Sequence, residues 1–192
     1  MQPTKLPIVE ASTPSEWNDW LSKNHITEKG VWLIFYTKNA KKKSISWSEA
    51  VTEALCFGWI DSKKIRIDSF TSHQYFCPRK AKSTWSKINK EKVAQLIQEG
   101  RMSEAGYKSI AIAKENGSWT VLDDIEALIV PQDLALALAA FPLAESYFTS
   151  LSKSSKKMLL YWVKSAKREE TRQKRIQEIA QCAALQTKPK NF

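Results

Sequence analysis

The densest chemistry in this 192-residue chain lies in Cys56–Ser86, CFGWIDSKKIRIDSFTSHQYFCPRKAKSTWS. From Asp61 to Lys92 there are nine Lys or Arg against three acids, and Trp59, Tyr75, Phe76 and Trp85 interleave with the cations. Arg79, Lys80 and Lys82 run straight into Ser83-Thr84-Trp85-Ser86, which reads as a helix start. A helix start presents unpaired N–H groups and the positive end of a dipole. Arg79 could add a bidentate contact, and Ser83 or Ser86 a hydroxyl. Trp59, Asp61, Tyr75, Arg79, Lys80, Ser83, Trp85 and Ser86 are therefore the candidate ligand-binding residues, for a phosphate, a carboxylate or a nucleic-acid backbone. A solvated basic rim around core tryptophans, with the serines as plain caps, accounts for the pattern equally well.

The remaining reactive side chains are less informative. Asp61 follows Gly58-Trp59-Ile60 at an expected helix-to-strand turn, where it could meet Arg66, Arg79 or a cationic ligand. A salt bridge suits it better than catalysis, because no second carboxylate stands at a fixed spacing for acid/base work. His25 and His73 have no metal-type neighbours, and a lone histidine is usually structural. Cys56, Cys77 and Cys182 match neither a disulfide framework nor a zinc pattern, so no metal and no cofactor is expected. Cations beside Cys77 would lower its thiol pKa in principle, but no base accompanies it. GxSxG, P-loop and GxGxxG motifs are lacking. A second basic cluster at Lys167, Arg168 and Arg172 reads first as a charged solvent face. Its sharper reading is an extension of one cationic surface toward an anionic partner.

Several phrases resemble the YdeI/OmpD-associated, or bacteriocin-protection, family: Glu16-Trp17 with Trp20-Leu21, Gly30–Leu33, Glu49-Ala50-Val51, ALCFGWID at 54–61, Pro78-Arg79-Lys80 leading to Trp85-Ser86, Gly100-Arg101-Met102 with Ala105-Gly106, Ala113-Lys114, and AKREETR at 166–172. The likeness spans residues 10–185. It implies protection against bacteriocins and cationic antimicrobial peptides, a stress response and a porin association, with no catalytic residues to carry over. Ser62 stands where the family often has glycine, and Lys80 where a second arginine is frequent, which weakens a double-arginine clamp. A chain of net charge +10 is poorly suited to capture cationic peptides by charge. The functional expectation is a non-enzymatic binding and stress-protection protein with an anionic ligand or protein partner. A nucleic-acid binder and a small-molecule enzyme built on Asp61 and Arg79 are the alternatives.

The elements that must hold these residues follow from periodicity. Apolar content of 43 % and few glycines and prolines describe a folded chain without repeats. MQPTKLPIVE lacks a secretory signal, no apolar run is long enough for a membrane span, and a reducing cytoplasm is expected. Pro14 opens a helix with Trp17, Trp20 and Leu21. Val31–Tyr36 reads as a central strand buried on both faces. Ser46 and Glu49 form a capping box for a helix whose apolar stripe includes Trp47 and which Gly58 ends. Lys63–Ile67 and His73–Cys77 pair across an Asp68-Ser69 turn. Helices follow from residue 83, with Ser154 expected to cap one of them and Thr187–Phe192 expected to fray. The fold class is α+β: a small, mostly antiparallel sheet of about three strands packed with helices, then an all-helical C-terminal part. A 1–120 core domain and a 121–192 helical domain or cap are expected, meeting within Ser118–Pro131.

Overall fold

The structure, a computed structural model, describes residues 6–190 and 192. The chain forms two compact units, one ending at Thr120 and one beginning at Val121. In the first, β1 (Ile8–Val9), α1 (Pro14–Asn24), β2 (Val31–Tyr36), α2 (Trp47–Cys56), β3 (Trp59–Arg66), β4 (Thr71–Pro78), α3 (Lys87–Gln98) and α4 (Glu104–Glu115) follow one another. The second is helical: α5 (Asp123–Glu126), α6 (Gln132–Ala139), α7 (Ala144–Ser150), α8 (Lys153–Lys164) and α9 (Glu169–Ala184). The fold is α+β, with a four-stranded mixed sheet where three strands were expected. The extra strand, β1, pairs parallel to β2 through Ile8 and Val9, too few residues to carry a periodic signal. The sheet order is β1-β2-β4-β3, antiparallel beyond the first pair.

β2 lies inside the sheet but is not buried on both faces. Val31 and Leu33 are sealed, while Trp32, Ile34 and Phe35 are half-buried. β3 starts at Trp59, so Asp61 sits within a strand opposite Phe76 rather than at a turn, and a register shift follows between Asp61 and Lys64. The Ser46–Glu49 capping box forms as expected. Trp47, however, leaves the apolar stripe and lies 53 % exposed, because its indole N–H donates to Asp61 Oδ2 at 2.9 Å. Ser152, not Ser154, caps α8. The expected frayed tail is partly pinned: Thr187 N–H donates to the Cys182 carbonyl at 2.9 Å, and the Phe192 ring lies 5.1 Å from Trp162. Residues 1–5 and Asn191, the latter within the segment expected to fray, lie outside the described residues.

Burial of large rings organises the first unit. Trp17, Trp59, Phe76 and Trp85 are all but fully buried, each worth a few kcal/mol, on the order of 2–3, relative to exposure. Trp17 stacks on Trp20 at 5.3 Å and its indole N–H donates to the Ala50 carbonyl at 3.1 Å, so its one polar atom is satisfied. The C-terminus of α2 is docked onto the start of α4. Ser103 N–H and Oγ both donate to the Cys56 carbonyl, at 3.0 and 2.7 Å. Gly106 packs so closely on that same carbonyl that any Cβ at 106 would collide with it. Gly58, at φ +70°, turns the chain from α2 into β3 in a backbone conformation that favours glycine.

In the second unit, Leu134, Leu138, Phe148, Leu159, Leu160, Val163, Ile176 and Ile179 form a separate core. Several of its cations meet acids. Arg172 grips Asp133 with two bonds, at 2.7 and 2.9 Å, and Lys157 meets Glu126. Lys164 meets Asp124 at 3.0 Å. Among the described residues, no helix is long and apolar enough to cross a membrane.

A cationic–aromatic candidate binding site around Arg79

The segment after β4 is a loop held from several sides. Arg79 N–H donates to the Gly58 carbonyl at 2.9 Å and Ser83 N–H to the Lys80 carbonyl at 2.9 Å. Asn116 Nδ2 and Ser118 Oγ both donate to the Ala81 carbonyl, at 2.7 and 3.2 Å. α3 begins only at Lys87, with Ser86 as its cap accepting from Asn89 N–H at 3.3 Å. The helix start expected at Ser83 is therefore displaced, and Ser86 is a plain cap that lines neither of the clefts described next.

This loop separates two neighbouring clefts, and Pro78, Arg79 and Lys80 line both. The first, of about 400 Å³, has apolar and aromatic walls from Ile26, Phe57, Trp59, Trp85 and Ile112, with Lys108 at its border. The second, of about 710 Å³, is polar and includes Lys29, Asp61, Tyr75, Cys77, Ser83 and Thr84. The sequence-predicted residues are thus divided. Trp59 and Trp85 face the aromatic cleft, Asp61, Tyr75 and Ser83 the polar one, and Arg79 and Lys80 belong to both.

Arg79 is the unusual group. Its guanidinium carbon lies 3.8 Å from the centroid of the Trp85 ring, and Nη2 donates to the Thr84 carbonyl at 2.7 Å. Its Nε and Nη1 are buried with no acceptor among the described residues. Burial pulls its pKa down to about 10, against the opposing pull of Asp61 and Cys77, so it stays charged at neutral pH. A buried cation with unsatisfied donors is costly, and an acceptor placed there would recover that cost.

Asp61 does not neutralise it by a close ion pair. Its Oδ2 is occupied by donors from Trp47 at 2.9 Å and Gln74 at 3.3 Å. Tyr75 donates to the Lys29 carbonyl at 3.4 Å and packs on Gly30, where any Cβ would strike its hydroxyl. Cys77 departs from the simple expectation: burial raises its pKa and outweighs Lys80 and Arg79, so its thiol is not activated. Cys56 is likewise pushed up, to about 11, chiefly by burial. His25 uses Nδ1–H on the Leu21 carbonyl at 2.9 Å, and its own carbonyl accepts the Trp59 indole N–H at 3.2 Å. No group of His, Cys, Asp and Glu among the described residues could hold a metal ion.

Of the second basic cluster, Lys167 and Arg168 are exposed at the start of α9, whereas Nε and Nη2 of Arg172 are taken by Asp133. Sequence reasoning missed Lys29, Lys108, Phe57, Ile26 and Ile112 as lining residues. Lys108 and Ile112 stand one helical turn apart on α4, a spacing visible in the sequence. Its relation to Arg79 depends on the α2–α4 docking and is not.

Fold and site together define a two-unit α+β protein with a buried, partly unsatisfied arginine between an aromatic and a polar cleft. Residues 9–109 match a family described as a domain of unknown function (DUF8412), and residues 127–186 match the family described as bacteriocin-protection, YdeI or OmpD-associated. The chain belongs to the first family, whose match covers more than half its length, and carries a YdeI/OmpD-associated domain in its C-terminal unit. The AKREETR phrase falls inside the second match, and ALCFGWID and PRK inside the first. No curated protein matches the chain, and no solved structure does.

Proposed function

We propose that this chain is a non-enzymatic binding protein with a protective role in stress, and that the Arg79 region takes an anionic ligand. The observation that carries this reading is the Arg79 guanidinium, buried on Trp85 with Nε–H and Nη1–H unmatched by any acceptor among the described residues. Each of these donors can take an oxygen of a carboxylate or phosphate, and charge-assisted bonds of this kind are about twice as strong as neutral ones. Lys80, shared by both clefts, and Lys29 and Lys108, one on each, add positive potential without closing the site. The aromatic cleft offers a flat or branched ligand body a place beside the charged centre.

The C-terminal YdeI/OmpD-associated match supports a link to bacteriocin protection, which the family's own description names. Direct capture of cationic peptides fits poorly with a chain of net charge +10. Protection through an anionic ligand or partner agrees with the charge.

The test is a titration of the chain with inorganic phosphate and, separately, with benzoate, following the Arg79 Nε–H resonance and the binding heat. The expected result is a saturable shift of that resonance, with benzoate perturbing Trp59 and Trp85 as well. Arg79→Glu with Lys80→Glu should abolish both the shift and any protective phenotype. Unchanged protection in that variant, or an Arg79 resonance indifferent to both anions, overturns the reading.

A further inference from the structure

A second surface, independent of Arg79, lies at the opposite kind of location: the exposed end of the sheet. The register brings the end of β2, the end of β3 and the start of β4 together there, with Tyr36 opposite Thr71 and Arg66 opposite Ser72. The β3–β4 turn is braced by its own side chains. Asp68 Oδ1 accepts the N–H groups of Phe70 and Thr71, both at 2.7 Å, and Arg66 Nε donates to the Asp68 carbonyl at 3.0 Å. Such local side-chain caps fix a turn that a hairpin tip otherwise lacks.

On this fixed turn, Ile67 and Phe70 are 51 % and 52 % exposed. Neither residue is part of a core cluster. The loop that follows β2 leans on the turn, since Thr37 N–H donates to the Phe70 carbonyl at 2.8 Å. That loop carries Lys38, Lys41, Lys42 and Lys43, all exposed. Lys42 is held by Glu10 at 3.2 Å, while Lys38, Lys41 and Lys43 make no ion pair among the described residues. Between loop and turn lies a groove of about 300 Å³ lined by Tyr36, Lys41, Lys42, Phe70 and Thr71. Phe70 thus shares with Lys41 and Lys42 a groove sized for a small anionic group, and Ile67 stands exposed on the same turn.

We propose that this end of the sheet docks on an anionic phospholipid surface, with Ile67 and Phe70 entering the headgroup–acyl boundary and a lipid phosphate seated between Lys41 and Tyr36. Clustered lysines next to exposed apolar side chains are the pairing that a negatively charged bilayer rewards. A nucleic acid would use the lysines and could stack on Phe70, but it has no use for the aliphatic Ile67. The lipid surface uses both groups.

Vesicle co-sedimentation of the full chain decides the matter. Wild type should bind vesicles of equal parts phosphatidylglycerol and phosphatidylcholine, and pure phosphatidylcholine at least about tenfold more weakly. The triple variant Lys38→Glu, Lys41→Glu, Lys43→Glu should lose on the order of a hundredfold. A control with equal charge change elsewhere, Lys153→Glu, Lys167→Glu, Arg168→Glu, should lose far less. Ile67→Ser with Phe70→Ser should lose about tenfold while leaving net charge untouched. Each variant is checked by thermal melting, and single Lys41→Ser and Phe70→Ser variants carry the test if a multiple variant loses its transition.

Equal losses in the triple variant and its control mean that overall charge alone drives binding, and the proposal fails. It fails also if Ile67→Ser with Phe70→Ser binds like wild type. A single-stranded RNA oligomer bound more tightly than the vesicles, and indifferent to Ile67→Ser, replaces the lipid reading with a nucleic-acid one.

Discussion

Arg79 and Arg172 are the same residue in opposite circumstances. Arg172 spends two donors, Nε–H and Nη2–H, on Asp133, which sits on the neighbouring helix and matches their spacing. Its pKa rises and that of Asp133 falls, each chiefly through their mutual hydrogen bonds. Arg79 has an aromatic face, one carbonyl and two idle donors, and its pKa falls through burial. The arginine that joins two helices of the helical unit is closed by an acid, whereas the buried arginine of the sheet unit keeps two donors without an acceptor among the described residues. A charge closed by a partner joins two helices; a charge left open waits for something outside the chain. Arg175 marks the midpoint: it lies 5.2 Å from the Trp162 ring, yet Nη1 donates to both the Trp162 carbonyl and Ser165 Oγ. Stacking on tryptophan alone therefore does not distinguish an open site.

The sharpest way to break this contrast is Arg79→Met. Anion affinity measured by calorimetry should fall roughly thirty- to hundredfold, the loss of about one charge-assisted bond. Chemical denaturation should show stability within about 1 kcal/mol of wild type, because a costly buried charge leaves along with the stacking. A large stability loss with unchanged affinity would reverse the roles assigned to the two arginines.

Arg172→Met is the mirror experiment. Anion affinity should stay within about twofold, and stability should drop by about 1 kcal/mol, a partly exposed bidentate pair. The pH dependence supplies its signature. Asp133 has a folded-state pKa below the unfolded one, so its contribution is present above the unfolded value, near 4, and is lost as pH falls through the folded value. The stability gap between wild type and Arg172→Met should therefore close as pH is lowered below about 4. A gap that persists in acid would show that packing of the arginine stem, not the pair, accounts for it.

The smallest effect is expected at Lys174, whose partner Glu170 is one helical turn away at 2.7 Å with both side chains about three-quarters exposed. Lys174→Gln should change stability by less than about 0.5 kcal/mol in urea titrations. A loss as large as that of Arg172→Met would erase the distinction between pairs that join elements and pairs that only decorate them.

What the sequence made legible follows the range of the interactions. The Ser46–Glu49 capping box, the Gly58 turn and the helices with clear apolar stripes depend on residues a few positions apart, and they could be read directly. So could the concentration of cations and rings around Arg79. The placement of Trp47 could not, because a long-range acceptor, Asp61, draws its indole off the stripe. Nor could the division of the expected site into two clefts. That division depends on Arg79 being held to Gly58 and Thr84, while Lys108 and Ile112 arrive from a helix nearly thirty residues downstream. Arg172 shows the same limit in reverse: its basic neighbourhood suggested an open surface, and a single aspartate 39 positions away engages its Nε and Nη2.

The seat of Gly106 on the Cys56 carbonyl has a consequence for how the aromatic cleft can evolve. Because one wall rides on α4 and the opposite wall follows directly from α2, backbone contact rather than side-chain size sets the gap between them. Lining positions such as Ile112 and Phe57 are then free to vary in shape and polarity within a mould of constant width. Drift there would retune which guest is accepted, whereas a single methyl group added at position 106 would warp the mould itself.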